Sequence, residues 1–193
     1  MPRTSTARRI RKDAQHNRSH ILDVARAAFT SAGVDVSMDA IATQAGVGPG
    51  TLYRHFPNKD ALLAALLDAH HDDLERQRTM IEAQETRPDR ILERWMDALG
   101  DWMLVYDGLS EPLRQGWSRT NSPLSPTCSN VIDTTNRILS AAQTGGTVRP
   151  GLTGRDIFLG ALAVAWAGGT SAADANTRHI LREMLKTGWR QPG

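Results

Sequence analysis

Cysteine and long apolar runs are the clearest absences in the 193-residue chain. Cys128 is the single cysteine, and one thiol cannot close a disulfide within the chain, which fits a reducing compartment. The longest apolar stretch, ALAVAWAGG at residues 161–169, is far shorter than the roughly 20 residues that a membrane-spanning helix needs. The basic N-terminus is not followed by the apolar segment of a secretion signal. We therefore expect a cytoplasmic protein that does not enter a membrane.

Recognisable catalytic and cofactor motifs are missing as well. The sequence contains no glycine-rich phosphate loop, no nucleophile elbow and no cluster with metal-ligand spacing. The run HHDDLE begins at His70, but neighbouring helical residues point about 100° apart, so only His71 and Glu75 could share an ion. A solvated helix face is the simpler interpretation. Cys128 is interpreted as a small core residue, with a redox-sensing thiol as the alternative. We expect no enzymatic activity, no metal and no cofactor.

The net charge is small but unevenly distributed. The whole chain carries +2, yet residues 1–60 hold nine Lys and Arg against five Asp, a surplus of +4. Residues 61–193 hold fourteen basic against sixteen acidic residues. A positive field confined to the N-terminal third indicates a polyanionic partner. The first dozen residues, MPRTSTARRIRK, contain five basic side chains, and we expect a mobile basic arm there that orders on its partner.

The hydrophobic pattern of the N-terminal third predicts four helices. Apolar residues recur at three- and four-residue spacing from about Asp13 until Gly33 provides a stop. Ser37 is a good N-cap for a second helix, a third covers about residues 49–56, and Asn58 caps a fourth. No alternating run of β-branched residues indicates a strand.

Past residue 85 the chain forms larger helical segments with short breaks. Ser110 is a candidate cap for a short sixth helix, and Thr153 with Asp156 has capping-box spacing at the start of the eighth. We predict an all-α fold of about nine helices, three in a small N-terminal head and six in a body. The predicted boundaries are a basic flexible arm at 1–16, the head at 17–60 and the body at 61–193.

The stretch GVGPGTLYRHFPNK, residues 46–59, has the pattern of a DNA-reading helix. A helix-turn-helix needs two short helices joined by a tight, glycine-containing turn, with the second helix in the DNA major groove. Spacing of four pairs Leu52 with Phe56 as an apolar anchor on the third helix. A start with few side chains lets the helix backbone press into the groove, and Pro49 costs little in the first turn. The alternative is an ordinary turn followed by a solvated helix face.

The outward residues of this third helix suit contacts with DNA. Tyr53 and His55 can donate to phosphates, and Thr51 can reach a phosphate or a thymine methyl group. Arg54 is the candidate for guanine. Two residues at the starts of neighbouring helices suit further phosphates: Ser37 and Lys59.

The run VSMDAIATQAGVGPGTLYRHFPNKDALLAAL, residues 36–66, preceded by HILDVARAAFTSAG, resembles the DNA-binding head of the tetracycline-repressor (TetR) family of bacterial transcriptional regulators. The signature GxxxxTLYxHFxNK is specific among helix-turn-helix proteins. The resemblance implies operator contacts at seven positions: Ser37, Gly48, Gly50, Thr51, Tyr53, His55 and Lys59. Arg54 occupies a position that varies in the family, so its contact with guanine is inferred from the helix alone. Met38 and Asp39 replace the polar or basic residues often found at the start of the second helix.

The stretch GTVRPGLTGRDI, residues 146–157, resembles the effector domain of TetR regulators with an SbtR-type C-terminal domain. The family likeness implies a dimeric repressor that a small-molecule effector releases from a palindromic double-stranded DNA operator. A DNA-binding dimer without an effector is the alternative. The likeness also implies a homodimer through the last two helices, for which several small or apolar side chains are suited: Ala161, Ala165, Trp166, Gly168, Gly169, Ile180, Leu181, Met184 and Leu185. The alternative is that these residues close the core of their own subunit.

Large side chains of the predicted fifth to eighth helices are the candidates for the effector pocket. Aromatic and methionine side chains favour a flat or apolar ligand. The candidate residues are Trp95, Trp102, Met103, Tyr106 and Trp117. Filling the core of the body is the alternative for each of them.

Overall fold

The computed structural model describes residues 4–119, 121–169 and 174–190. Within these ranges the chain forms nine helices and no strand, so the all-α prediction is confirmed. In chain order the helices are α1 (Thr4–Ala32), α2 (Met38–Gln44), α3 (Pro49–His55), α4 (Lys59–Gln84), α5 (Pro88–Met103), α6 (Ser110–Ser118), α7 (Ser125–Thr144), α8 (Gly154–Gly168) and α9 (Ala175–Thr187).

Two helix starts differ from the sequence prediction. Helix α1 begins at Thr4 rather than near Asp13, so residues 4–16 of the predicted arm are helical. Alanine, arginine, lysine and glutamine are good helix formers, and this segment contains nothing that would interrupt a helix. Ser110 does not cap α6, because it is the first helical residue and Leu109 precedes it in a helical conformation.

Side-chain caps define three of the helix starts as predicted. The Ser37 hydroxyl accepts a hydrogen bond from the backbone N–H of Ala40 at 3.1 Å and begins α2. Asn58 Oδ1 accepts from the N–H of Ala61 at 2.8 Å and begins α4. Thr153 forms a reciprocal capping box with the third residue of α8. Each cap satisfies a backbone donor that has no partner within its helix.

The head is a three-helix unit around one apolar cluster. Ile21 and Phe29 of α1, Ile41 of α2, and Leu52 of α3 are fully buried, as is Phe56 directly after α3. Burying a side chain of this size contributes roughly 1.5–3 kcal/mol. The predicted anchor pair on α3 therefore holds that helix to the head.

The core of the body lies where α5 packs against α7 and α8. Trp95 of α5 is fully buried there, and its indole N–H donates to Thr135 Oγ1 of α7 at 2.9 Å. Helix α4 packs against the other side of α5, while α6 and α9 pack against α8. Helix α5 is thus the central element of the body.

A small set of contacts joins the head to the body, and we call it the head–body junction. The Phe29 ring packs edge-on against Tyr106 with 5.9 Å between ring centroids, and Tyr106 forms a 3.0 Å hydrogen bond with His70 Nε2 of α4. In the turn after α1, the N–H of Val34 donates to the Asp107 carbonyl at 2.9 Å. The turn that follows α1 is therefore fixed to the loop that follows α5.

Gly33 closes this junction, and replacing it tests how closely the head approaches the body. Gly33 and Gly46 both follow a helix with positive φ, +72° and +62°. A Cβ at Gly33 would lie 3.0 Å from the Asp107 carbonyl oxygen, whereas a Cβ at Gly46 would meet nothing within 4 Å. A left-handed alanine costs roughly 1–2 kcal/mol at either site. In urea unfolding we expect Gly33→Ala to lose more stability than Gly46→Ala; equal losses would show that the junction tolerates the methyl group.

Candidate nucleic-acid interface

The turn between α2 and α3 sets the angle between the two helices. Gly46 adopts positive φ, and its N–H donates to the Thr43 carbonyl at 3.1 Å. The N–H of Val47 donates to the Ala42 carbonyl at 3.0 Å. These two bonds end α2 within one turn and redirect the chain, as in the turn of a helix-turn-helix.

The start of α3 is bare and open. Gly48 is the N-cap residue, in extended conformation, and Pro49 is the first helical residue. A Cβ added at Gly48 or Gly50 would meet nothing within 4 Å. The packing of the chain itself therefore does not require glycine at these two positions, and the surface they leave is free for close approach from outside.

Helix α3 separates an anchoring face from an outward face. Leu52 and Phe56 are buried in the head, whereas 42% of Tyr53 is exposed. Thr51 and His55 are half-buried at the edges of the outward face. The hydroxyls of Thr51 and Tyr53 and the imidazole of His55 can all donate hydrogen bonds, and phosphate oxygens are acceptors.

Arg54 is bonded within its own helix. Its Nε donates to the Gly50 carbonyl at 2.9 Å, and its Nη2 donates to Thr51 Oγ1 at 3.1 Å. This guanidinium orients the Thr51 hydroxyl. Reading a guanine, as predicted from the sequence, would require Arg54 to leave both partners.

Lys59 and Ser37 each make a structural hydrogen bond at the edge of this surface. Lys59 Nζ donates to the Val34 carbonyl at 2.8 Å, which joins the start of α4 to the turn after α1. An ammonium group has three hydrogens, so two remain for a phosphate. Ser37 accepts the cap bond described above, and its own hydroxyl hydrogen remains available. No local sequence signal indicated the contact of Lys59, because its partner lies 25 residues earlier.

Sequence reasoning missed Arg18 of α1. Its guanidinium lies 5.2 Å from the centroid of the Phe56 ring. This cation–π contact brings an additional positive charge to the end of α3. An aromatic residue after α3 and a basic residue in α1 were both visible in the sequence, but their contact depends on how the two helices cross.

The structure does not gather the five predicted pocket residues around one cavity. Trp95 lies in the core, and Trp102 lines a cleft between α4 and α5. Met103 and Tyr106 line a second cleft of about 370 Å³ beside the head–body junction. Trp117 is half-buried with the Arg155 guanidinium 5.3 Å from its ring centroid. The apolar spacing of α5 predicted a broad buried face, but could not show which neighbouring helix each side chain meets.

Cys128 is a core residue. Its side chain is fully buried and burial raises the pKa of the thiol to about 12. A thiol with a raised pKa carries almost no thiolate at neutral pH, so the redox-sensor alternative has no chemical basis at this position.

Metal and membrane signals were also sought among the described residues. No three His, Cys, Asp or Glu side chains converge there in an arrangement that could hold a metal ion. None of the helices in the described ranges is both long and apolar enough to cross a bilayer.

The two-helix reading unit makes the chain a helix-turn-helix protein, and comparisons identify its family. The family profile described as bacterial regulatory proteins, tetR family, matches residues 21–66. The profile described as transcriptional regulator SbtR-like, C-terminal domain, matches residues 87–191, more than half of the chain. The chain belongs to the TetR family of DNA-binding transcriptional regulators and carries an SbtR-like C-terminal domain. Members of this family are transcription factors rather than enzymes.

Similar proteins agree with this assignment. An HTH-type transcriptional regulator of Staphylococcus aureus strain USA300 is 48% identical over 54 residues, which cover 28% of this chain and 29% of that protein. A TetR regulator of Streptomyces coelicolor is 26% identical, covers 91% of this chain and 99% of its own, and superposes with a TM-score of 0.53. Thermus thermophilus FadR, a repressor solved with lauroyl-CoA, is 20% identical over 88% of this chain and 90% of its own, with a TM-score of 0.61.

Substitutions on the two faces of α3 should separate folding from the outward surface. Leu52→Ala removes a fully buried side chain and should cost roughly 2–5 kcal/mol. Tyr53→Ala removes an exposed ring and should change the free energy of unfolding by less than about 0.5 kcal/mol. Urea denaturation followed by circular dichroism measures both. A large loss for Tyr53→Ala would mean that this ring serves the fold.

Proposed function

We propose that the protein is a dimeric transcriptional repressor that binds a palindromic operator through α3 and is released by a small-molecule effector bound in the body. The observation that carries the proposal is the open, glycine-rich start of α3 beside an outward face of hydrogen-bond donors. The family assignment gives the DNA partner, and the palindrome, the dimer and the effector are the proposed refinements. Because its target is the genome, the protein acts in the cytoplasm.

In the proposed complex, the start of α3 enters the major groove and the donors around it hold the phosphates on either side. Gly48 and Gly50 allow the backbone to approach the bases closely. Tyr53, His55 and Lys59 bind phosphates, and their contacts fix the register of the helix without reading sequence. Sequence would be read by Thr51 and, once it leaves its intrahelical partners, by Arg54. Ser37 adds a phosphate contact at the start of α2.

The surface of α8 and α9 supports the proposed dimer. Three large apolar side chains on these helices are exposed: Trp166 (63%), Ile180 (48%) and Met184 (64%). No residue of α9 is buried in the subunit. A symmetric pairing of these helices would cover all three side chains and set the two α3 helices for a two-fold symmetric operator.

The small residues of α8 have a different role from the one predicted for the dimer. Ala161 and Ala165 are buried within their own subunit. Gly168 packs against Arg178 of α9, where an added Cβ would lie 3.0 Å from that side chain. These residues let the helices of one subunit approach each other, so the dimer would depend on the exposed large side chains instead.

Two fold relatives support an effector in the body. FadR was solved with lauroyl-CoA, and RolR, 15% identical with a TM-score of 0.67 over 92% of this chain and 89% of its own, was solved with resorcinol. Both ligands belong to those proteins. What the likeness supports for this chain is a body that opens between its helices, and a coupling of 1–3 kcal/mol between ligand and DNA would change operator affinity about 5- to 150-fold.

DNA binding is tested by selecting bound sequences from random double-stranded DNA with the full chain. We expect a palindrome whose half-site centres are about 34–36 Å apart or a multiple of that distance. On the selected operator, Tyr53→Ala and His55→Ala should each weaken binding at least about 10-fold, measured by fluorescence anisotropy, because each loses a phosphate contact. Tyr53→Phe, which loses only the hydroxyl, should fall between Tyr53→Ala and the unaltered protein.

Thr86→Ala is the matched control for this experiment. Thr86 is exposed just beyond the far end of α4, and α4 is about 39 Å long at 1.5 Å per residue. Its operator affinity should equal that of the unaltered protein. If Tyr53→Ala and His55→Ala also retain full affinity while remaining folded, α3 is not the reading helix.

The proposed dimer is tested by sedimentation velocity. The double substitution Trp166→Glu/Met184→Glu puts four charges at the centre of the symmetric interface and should yield monomers at micromolar concentration. Met80→Glu is the control, because Met80 on α4 is exposed to a similar degree (54%) but lies outside α8 and α9. A dimer that persists in the double variant would contradict the proposed interface.

A further inference from the structure

One cleft in the body combines apolar walls with a buried donor that has no partner. It lies between α4 and α5 and has a volume of about 350 Å³. We call it the α4–α5 cleft. The apolar part of its lining comes from both helices, as Leu74 and Met80 of α4 and Ala98, Trp102 and Val105 of α5.

Trp102 supplies the donor. Only 6% of this residue is exposed, and its indole N–H has no hydrogen-bond partner among the described residues. Trp95, two turns earlier on the same helix, donates its own indole N–H to Thr135 Oγ1 at 2.9 Å. A buried donor without an acceptor is unfavourable, so a molecule that brings an acceptor into the cleft would gain a hydrogen bond that the protein alone leaves unmade.

The charges at the rim of the cleft are already paired. Asp73 forms an ion pair with Arg76 on α4. Asp101 accepts a hydrogen bond of 2.6 Å from Arg182 of α9. An anionic ligand would meet both carboxylates and a cationic ligand both guanidinium groups, so the paired rim favours an uncharged molecule.

The remaining polar residue of the cleft connects it to the head. His70 lines the cleft and is bonded to Tyr106, and Tyr106 packs against Phe29 of α1. The imidazole also packs edge-on against the phenol ring, with 5.4 Å between centroids. A ligand that moves α4 away from α5 would displace His70 from Tyr106 and so reach the head–body junction.

The other apolar cleft of the body has a competing occupant. It lies between α6 and α8, and its wall includes Leu162 and Trp166. Trp166 is the most exposed large side chain of α8, and the proposed dimer would cover it with the second copy. The α4–α5 cleft shares no residue with that surface.

From these observations we propose that the α4–α5 cleft is the effector site and that it takes an uncharged, ring-sized apolar molecule whose carbonyl oxygen accepts the Trp102 indole N–H. The inference rests on the proposed function, because it names the ligand class of the proposed release step. The volume lies at the low end of the 300–1,000 Å³ typical of small-molecule sites, which matches a molecule of two or three fused rings. Coupling to the operator passes through His70 and Tyr106.

The test uses 1-indanone and 9-fluorenone, with the hydrocarbons indane and fluorene as controls that lack the oxygen. The readout is the indole N–H resonance of Trp102 in ¹⁵N-labelled full chain, assigned by its loss in Trp102→Phe. The ketones should shift the Trp102 resonance and leave that of Trp95 in place, because the Trp95 N–H is already bonded. If neither ketone shifts the Trp102 resonance, or if the hydrocarbons shift it equally, the proposed site is wrong.

Two variants measure affinity through the methyl resonance of Met80, which lines the same cleft. Trp102→Phe keeps an aromatic ring but loses the donor, and should weaken ketone binding at least about 5-fold while the affinity for the hydrocarbons changes little. Gln77→Phe places a ring over the cleft from an exposed position on α4, where the fold tolerates it, and should block both classes. Unchanged ketone affinity in both variants would overturn the assignment.

Coupling is measured as operator affinity with and without saturating 9-fluorenone. We expect a loss of about 5- to 150-fold in the unaltered protein. Tyr106→Phe keeps the ring against Phe29 but removes the bond to His70, and should bind the ketone normally with a smaller loss of operator affinity. A shifted Trp102 resonance with unchanged operator affinity would overturn the effector role of the cleft. A chain that binds the ketone but selects no DNA would instead contradict the proposed function.

Discussion

The contact of the Tyr106 ring with Phe29 and His70 is the constraint on which the rest of the structure depends. Helix α1 carries the core of the head, α4 connects the head to the body, and the loop after α5 brings Tyr106 between them. Burial raises the pKa of the phenol, so it remains protonated and keeps its hydrogen for bonding. Burial likewise lowers the pKa of His70, against the opposing influence of Asp73. The neutral pair suits an enclosed junction, and it gives α3 a defined position relative to the body.

Local signals in the sequence accounted for most of the fold. Caps such as Ser37 and Asn58, and glycine stops such as Gly33, act within one helical turn, so their spacing was enough to predict the order of the nine helices. Helix α1 extended beyond its predicted start because a charged sequence without an apolar stripe can still be helical. The contacts that set the helices relative to one another, such as Lys59 with Val34, join residues far apart in the chain. They follow from the way the helices pack, which no local pattern encodes.

The candidate interface was more predictable than the candidate effector site. The residues of α3 lie on one short helix, where a period of 3.6 residues fixes which side chains share a face, and Leu52 and Tyr53 lie on opposite faces as that period requires. A pocket, by contrast, is formed between elements. The predicted set divided because Trp95 and Trp102 lie on different sides of α5, the first facing α7 and the second facing α4. Only the hydrogen bonding of the two indole groups distinguishes a core residue from a cleft residue here.

The open space around Gly48 and Gly50 also bears on how this protein can lose its activity. A side chain at either position would meet nothing in the folded subunit, so a chain that carries one would still fold and escape quality control. It would also still pair with an unaltered chain through α8 and α9. Such a mixed dimer holds one competent reading helix and one obstructed helix, and a palindrome requires both. Impairment at these two glycines would therefore be dominant, whereas damage to the buried core would be recessive.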